Sequence, residues 1–131
     1  MKTFIAVGKR KKAVARATIK EGKGIVRVNK RLLENLNPHM AKLKIDEPLV
    51  LAGEVAKKYD INVNVYGGGT ISQAEAVRLA VAKALASADS RLRSEFLEYD
   101  RTLLIADVRQ RESRKPNTHG NARGKTQKSY R

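Results

Sequence analysis

The sequence predicts an α+β fold of two layers, in which a small, mostly antiparallel sheet carries helices on one face. Two segments, residues 13–20 and 61–66, alternate apolar and polar side chains as half-buried strands do. A third segment, residues 70–88, repeats its apolar side chains at helical spacing. Each kind of element has one apolar side to bury, so we expect the helices to pack on the sheet.

The first strand, residues 13–20, is predicted to form an antiparallel hairpin with residues 25–29. The turn between them is Glu-Gly-Lys-Gly at 21–24. A loop of four residues puts side chains of like character opposite each other on each face. The predicted pairs are Lys20–Ile25, Ile19–Val26, Thr18–Arg27 and Ala17–Val28, with Arg16, Lys20 and Arg27 on the outer face. Residues 4–7 are expected to add a strand at the edge.

Helices are predicted between and after the strands. A short helix over 32–36 ends before Pro38, and a second helix covers 47–58 with Asp46 as its N-cap and Pro48 in its first turn. Residues 90–97 are expected to form another short helix. For the apolar run 103–106, periodicity does not decide between strand and helix.

Residues 61–66 and the helix that follows them carry the clearest pattern. Ile61, Val63 and Val65 are predicted to face the core. Three glycines, 67–69, precede a helix that begins at Thr70, where Thr70 and Gln73 fit a capping box. The predicted apolar stripe of this helix is Ile71, Ala74, Val77, Val81, Ala84, Leu85 and Ala88.

Charge divides the chain into a nearly neutral body with two basic ends. The net charge is +15: residues 1–31 contribute +10, residues 32–108 contribute −2 and residues 109–131 contribute +7. We therefore expect a globular RNA-binding domain over 1–108, with a basic N-terminal hairpin at 1–31. Residues 109–131 have no Val, Ile, Leu, Met or Phe and are predicted to be an extended basic tail that a polyanion orders.

Several classes of function are disfavoured by composition. There is no cysteine for a disulfide or a thiolate zinc site, and no stretch near the ~20 apolar residues of a membrane span. The two histidines, His39 and His119, and the scattered acids form no catalytic or metal-binding pattern. We expect a soluble, cytosolic protein with no cofactor, metal, membrane or small-molecule substrate.

The glycines at 67–69 have two readings. They could bind a nucleotide phosphate at a helix N-terminus, or they could make a tight strand-to-helix connection or an RNA-backbone contact. No Gly-Lys-Ser/Thr or GxGxxG pattern accompanies them, which favours the second reading.

Several motifs in this order resemble one known family. They are Gly8-Lys9-Arg10-Lys11 with Ala13 and Ala15-Arg16-Ala17, then Gly67-Gly68-Gly69 with Ser72-Gln73-Ala74-Glu75-Ala76, Asp107-x-Arg109 and the ending Gln127-Lys128-Ser129-Tyr130-Arg131. Over essentially the whole chain they resemble protein nine of the small ribosomal subunit. The ending is similar to that of the archaeal and eukaryotic branch.

The resemblance implies a fold like the second domain of ribosomal protein five, with a left-handed βαβ crossover. It also implies binding to ribosomal RNA in the head of the small subunit, among neighbouring ribosomal proteins. The tail would run through that RNA to transfer RNA in the peptidyl site. By position, the transfer-RNA contacts would be Lys128, Ser129, Tyr130 and Arg131.

Basic residues and the glycine turn are the predicted contacts to ribosomal RNA. They are Lys9, Arg10, Lys11, Lys12, Arg16, Arg27, Lys30, Arg31, Gly67, Gly68, Gly69, Arg109, Arg111, Arg114, Lys115, Arg123 and Lys125. Two other hypotheses stay open from the sequence. One is a phosphotransferase with a glycine-rich loop, and the other is a free-standing nucleic-acid-binding regulator.

Overall fold

The computed structural model describes residues 3–33, 39–99 and 103–104. The strands there are β1 (Thr3–Arg10), β2 (Ala13–Glu21), β3 (Val26–Val28), β4 (Arg31–Leu32) and β5 (Tyr59–Tyr66). The helices are α1 (His39–Ala52), α2 (Thr70–Ala88) and α3 (Arg91–Tyr99), and a short 3₁₀ turn covers Ala56–Lys58.

The described strands form one mixed sheet in the order β1-β2-β5-β3-β4. The pair β3–β5 is parallel, and the other neighbouring pairs are antiparallel. Helix α2 packs across β1, β2 and β5, and α1 and α3 pack against α2. The predicted α+β class and the layer of helices on one face are therefore confirmed, and β1 is the predicted edge strand.

The predicted hairpin of residues 13–20 with 25–29 is wrong, because β5 lies between its two strands. Ile61 of β5 pairs with Ile19 on one side and with Val26 on the other. The same insertion separates two more predicted pairs, in the rows Thr18–Asn62–Arg27 and Ala17–Val63–Val28. The predicted pair Lys20–Ile25 is also absent, since Lys20 pairs with Asp60 and Ile25 precedes β3. The inward side of β5 is apolar and buried, so it stabilises the core most as the middle strand. The predicted faces and offsets were right, but the partner strand was not.

The predicted helix over 47–58 begins earlier and ends earlier than expected. It starts at His39, so Asp46 lies inside it and is not its N-cap. The buried residues of α1 are Ala41, Ile45, Pro48 and Ala52, spaced four, three and four apart as one helical face. Gly53, with φ +57°, ends the helix, and its N–H donates to the Leu49 carbonyl at 3.1 Å.

Helix α2 is confirmed from Thr70, but without a capping box. Gly69 occupies the N-cap position, and the Gln73 side chain donates to the Gly67 carbonyl at 3.1 Å. Most of the predicted stripe is buried, while Ile71 is exposed and Ala88 is half-buried. Neighbours on several sides also bury Ala76, Leu79, Ala80 and Ala82, outside that stripe.

The remaining predicted elements have mixed outcomes. Helix α3 confirms the short helix near 90–97, and its Phe96 is fully buried. Leu32 lies in β4 and not in a helix, while residues 34–36 lie outside the described residues. Leu103 is buried in a 3₁₀ turn, and 105–106 lie outside the described residues.

Candidate nucleic-acid interface

The face of the sheet opposite the helices carries four of the basic side chains of the strands. We call it the open face. Rows across it follow from the register: Lys9–Val14–Tyr66, Val7–Arg16–Asn64, Ile5–Thr18–Asn62–Arg27–Leu32 and Thr3–Lys20–Asp60. Lys9, Arg16, Lys20 and Arg27 are all exposed there. The predicted outward direction of Arg16, Lys20 and Arg27 is therefore confirmed, although their strands are not all neighbours.

The β1–β2 turn extends this basic surface at one end. It consists of Lys11 and Lys12, since Arg10 pairs with Ala13 across the hairpin. Lys11 has φ 54°, a left-handed conformation that is uncommon for a residue with a side chain. Both lysines are exposed, so the turn presents two ammonium groups to solvent next to the open face.

A second turn, between β3 and β4, presents Lys30. Asn29 and Lys30 have φ 51° and 70°, as in the tight hairpin turns that match strand twist. The Asn29 side chain accepts from Val65 N–H at 2.9 Å and donates to the Val65 carbonyl at 3.1 Å. Asn29 thereby fixes the turn on β5, and both Lys30 and the following Arg31 are exposed.

The three glycines before α2 have different surroundings. A Cβ on Gly67 would lie 2.3 Å from the Lys12 carbonyl oxygen, and Gly67 has φ +78°. Gly68, with φ +66°, packs against Ala13. Gly69 has no atom within 4 Å of such a Cβ. The first two glycines therefore pack the connection between β5 and α2 against the β1–β2 turn, which supports the interpretation of a tight strand-to-helix connection. Gly69 remains accessible.

Arg10 and Arg31 lie on the helix side of the sheet, since Arg31 pairs with the buried Val28. Arg10 is held there by an ion pair. Its Nε donates to Glu75 Oε2 of α2 at 2.6 Å, and Lys44 Nζ of α1 donates to Glu75 Oε1 at 2.9 Å. Burial raises the pKa of Glu75, but the hydrogen bonds from Lys44 and Arg10 outweigh it and hold the pKa below its ordinary value. This ion-pair cluster ties β1, α1 and α2 together.

Asp60 organises the connection between β2 and β3. Its Oδ1 accepts from the backbone N–H groups of Lys23 at 2.9 Å, Gly24 at 3.2 Å and Ile25 at 3.1 Å. The bonds from Ile25 and Lys23 are the main reason that the pKa of Asp60 lies below its ordinary value. The β2–β3 loop is therefore held to the start of β5, where Asp60 pairs with Lys20.

Some interface residues were not singled out from the sequence. Asn62, Asn64 and Tyr66 alternate with the buried side chains of β5 and are exposed on the open face. The alternation that placed Ile61, Val63 and Val65 inward already implied this, but amides were passed over in favour of charge. Glu75 and Asn29 depend on partners 65 and 36 residues away, for which no local signal exists.

The predicted residues of the tail lie outside the described residues. They are Arg109, Arg111, Arg114, Lys115, Arg123, Lys125, Lys128, Ser129, Tyr130 and Arg131. Among the residues that are described, no group of three or more His, Asp or Glu side chains is arranged to hold a metal ion. No described helix has the length and apolarity to cross a membrane.

The protein is a small, basic α+β domain with helices on one face of its sheet. The other face exposes cations and amides, the side chains that bind nucleic acid. The profile of a family described as ribosomal protein S9/S16 matches residues 8–131. A protein of Methanococcus maripaludis called small ribosomal subunit protein uS9 is 46% identical over 134 aligned residues, covering all of both chains. The protein of the same name from Methanococcus vannielii is also 46% identical over the full length.

The chain belongs to the ribosomal protein S9/S16 family. This confirms the resemblance seen in the motifs. Members of this family are ribosomal constituents and not enzymes, so the phosphotransferase hypothesis is abandoned.

Proposed function

We propose that this protein is a structural constituent of the small ribosomal subunit that binds ribosomal RNA. The full-length match to relatives named as small-subunit proteins carries this proposal. The protein would act on the ribosome in the cytoplasm, among neighbouring proteins of the subunit head. A fold like the second domain of ribosomal protein five, with its left-handed crossover, remains a prediction.

The open face and its two turns supply the chemistry for binding RNA. Exposed lysine and arginine side chains replace the counterions condensed on phosphates, and the released ions favour binding. The helices cover the opposite face, so an approaching backbone meets the strands and the turn at Lys11 and Lys12. Arg10 would act mainly through Glu75, by holding this turn against α2.

The tail is proposed to have two roles along its length. Residues 109–126 would follow ribosomal RNA through their basic side chains, and Lys128 to Arg131 would contact transfer RNA in the peptidyl site. The composition of the tail supports ordering by RNA, because it has too few apolar side chains to fold on its own.

Sucrose-gradient sedimentation of cell extract tests the ribosomal role. The protein should migrate with the small subunit, and this association should survive nuclease treatment of messenger RNA. Migration at the top of the gradient would instead support a free-standing nucleic-acid-binding regulator.

The interface is tested by the triple variant R16Q/K20Q/R27Q with small-subunit ribosomal RNA. Losing up to three phosphate contacts should flatten the slope of log affinity against log salt by about 2. A matched control, K57Q/K58Q/R91Q, removes three exposed cations that lie outside the open face and its turns and should leave the slope unchanged. Equal slopes for the two variants would argue against the open face as the interface.

The transfer-RNA role is tested by deleting Lys128 to Arg131. Subunits carrying this deletion should assemble normally and bind transfer RNA more weakly in the peptidyl site. Unchanged transfer-RNA affinity would contradict the proposal for the tail and leave the proposal for the open face intact.

A further inference from the structure

A groove of about 490 Å³ lies on the open face where the β3–β4 hairpin meets β5. It is lined by Arg27, Lys30, Leu32, Asn62, Val63 and Asn64. Its volume falls within the range of pockets that hold small molecules or single groups of larger ones. The groove is therefore a defined recess in a surface that is otherwise suited to phosphates.

Two amides stand side by side at this recess. Asn62 and Asn64 occupy consecutive outward positions of β5, about 7 Å apart along the strand. Asparagine is depleted in strands, and both residues lie in the middle strand of the described sheet. Local strand stability would favour threonine or valine at such positions, so the amides call for another explanation.

The surroundings of the amides have the chemistry of a nucleotide. Each amide offers a donor and an acceptor, the combination that a base edge requires and a phosphate does not. Arg27 and Leu32 are paired across β3 and β4, and together they offer a guanidinium plane and an apolar side chain against a base. Lys30, held outward in its turn, can neutralise a phosphate.

We propose that this groove binds one unstacked nucleotide of RNA and reads its base through Asn62 and Asn64. The inference rests on the proposed RNA-binding function and adds base selectivity to it. The remainder of the open face would bind phosphates without regard to sequence. Recognition of unstacked bases by side chains on a sheet is a common way to read single-stranded RNA.

The test is selection from a single-stranded RNA pool with ten randomised positions, followed by sequencing. The wild-type chain should enrich one base at one position, and the double variant N62T/N64T should lose that preference by about tenfold. Threonine favours strands, so the variant should keep the wild-type melting temperature. The single variant N64T, which changes only one exposed side chain, provides a second test of the same preference.

The variant K9Q/K20Q serves as the matched control. It should recover less RNA overall and enrich the same base as the wild-type chain, because neither lysine lines the groove or pairs with Asn62 or Asn64. Absence of any base preference in the wild-type chain, or full retention of that preference in N62T/N64T, would overturn the inference. A wild-type chain that recovers no RNA would instead overturn the proposed function itself.

Discussion

Replacing Gly8 by alanine tests how β1 and α2 are joined. Gly8 is buried and lies in β1 beside the candidate RNA contacts Lys9 and Lys11. A Cβ at Gly8 would lie 2.2 Å from the Ala76 carbonyl oxygen and 2.6 Å from the Ala80 nitrogen. Both atoms belong to the backbone of α2, so no side-chain rotation can relieve the contact.

The size of the effect follows from these distances. Ordinary contacts of a Cβ begin at 3.4 Å, so strand and helix would have to separate by more than 1 Å. Overpacking of a core costs about 1–3 kcal/mol, and a contact with rigid backbone belongs at the upper end. A loss of about 3 kcal/mol lowers the melting temperature of a domain of this size by about 10–20 °C.

Thermal unfolding followed by circular dichroism measures this effect. The control is G69A, because Gly69 is exposed, has φ −96° and has no atom within 4 Å of an added Cβ. It should cost no more than about 1 kcal/mol. If G8A melts within about 2 °C of the wild-type chain, the close approach of strand and helix is not a constraint and the reasoning fails.

Three further substitutions address single interactions. E75Q removes the charge that accepts from Arg10 and Lys44, so unfolding should become easier by about 2 kcal/mol in denaturant titrations. D60N should destabilise the chain at neutral pH. The pKa of Asp60 is lowered in the folded chain, so its carboxylate contributes fully to folding stability above pH about 4. This stability is lost as the pH falls through the folded-state pKa, and melting curves recorded between pH 7 and 3 measure the loss. N29A removes two hydrogen bonds to β5 and should cost about 2 kcal/mol of unfolding free energy.

Matched variants separate these effects from general disturbance. E54Q changes an exposed carboxylate whose ion pair with Lys57 is long, so it should leave the free energy of unfolding unchanged. Equal losses of unfolding free energy for E54Q and E75Q would contradict a stabilising role for the ion-pair cluster at Glu75. If D60N and the wild-type chain lose stability identically in acid, Asp60 is not the titrating group. N29G keeps the left-handed conformation and lacks the amide, so wild-type stability in N29G would show that the side-chain bonds contribute nothing.

The order of the strands in the sheet could not be predicted from local sequence patterns. Alternation placed Ile19 and Val26 on one face at the correct offset, but it contains no information on whether another strand separates them. That choice depends on the burial of Ile61 and its neighbours, whose partners in β2 and β3 are 35 or more residues away in sequence. The start of α1 was also missed, because Pro48 was read as a helix start although α1 accommodates it as a buried side chain.

The candidate interface was predictable to a similar extent. The alternation of apolar and polar residues correctly placed Arg16 and Arg27 on the outer face, because side-chain direction in a strand depends on that strand alone. Arg10 was grouped with its basic neighbours, yet its position in β1 points it toward α2, where Glu75 lies. Only the folded chain brings those two groups together. Sequence therefore located the basic surface but not which cations are engaged within the protein.

The position of β5 also bears on how the chain folds during its synthesis. Residues 13–29 leave the ribosome well before residues 59–66, and their like-facing side chains can pair around the short 21–24 turn without them. The native sheet then requires β2 and β3 to separate and admit a strand between them. We expect this exchange to be a slow step, and shorter nascent chains ending before residue 59 to hold the non-native pair Ile19–Val26.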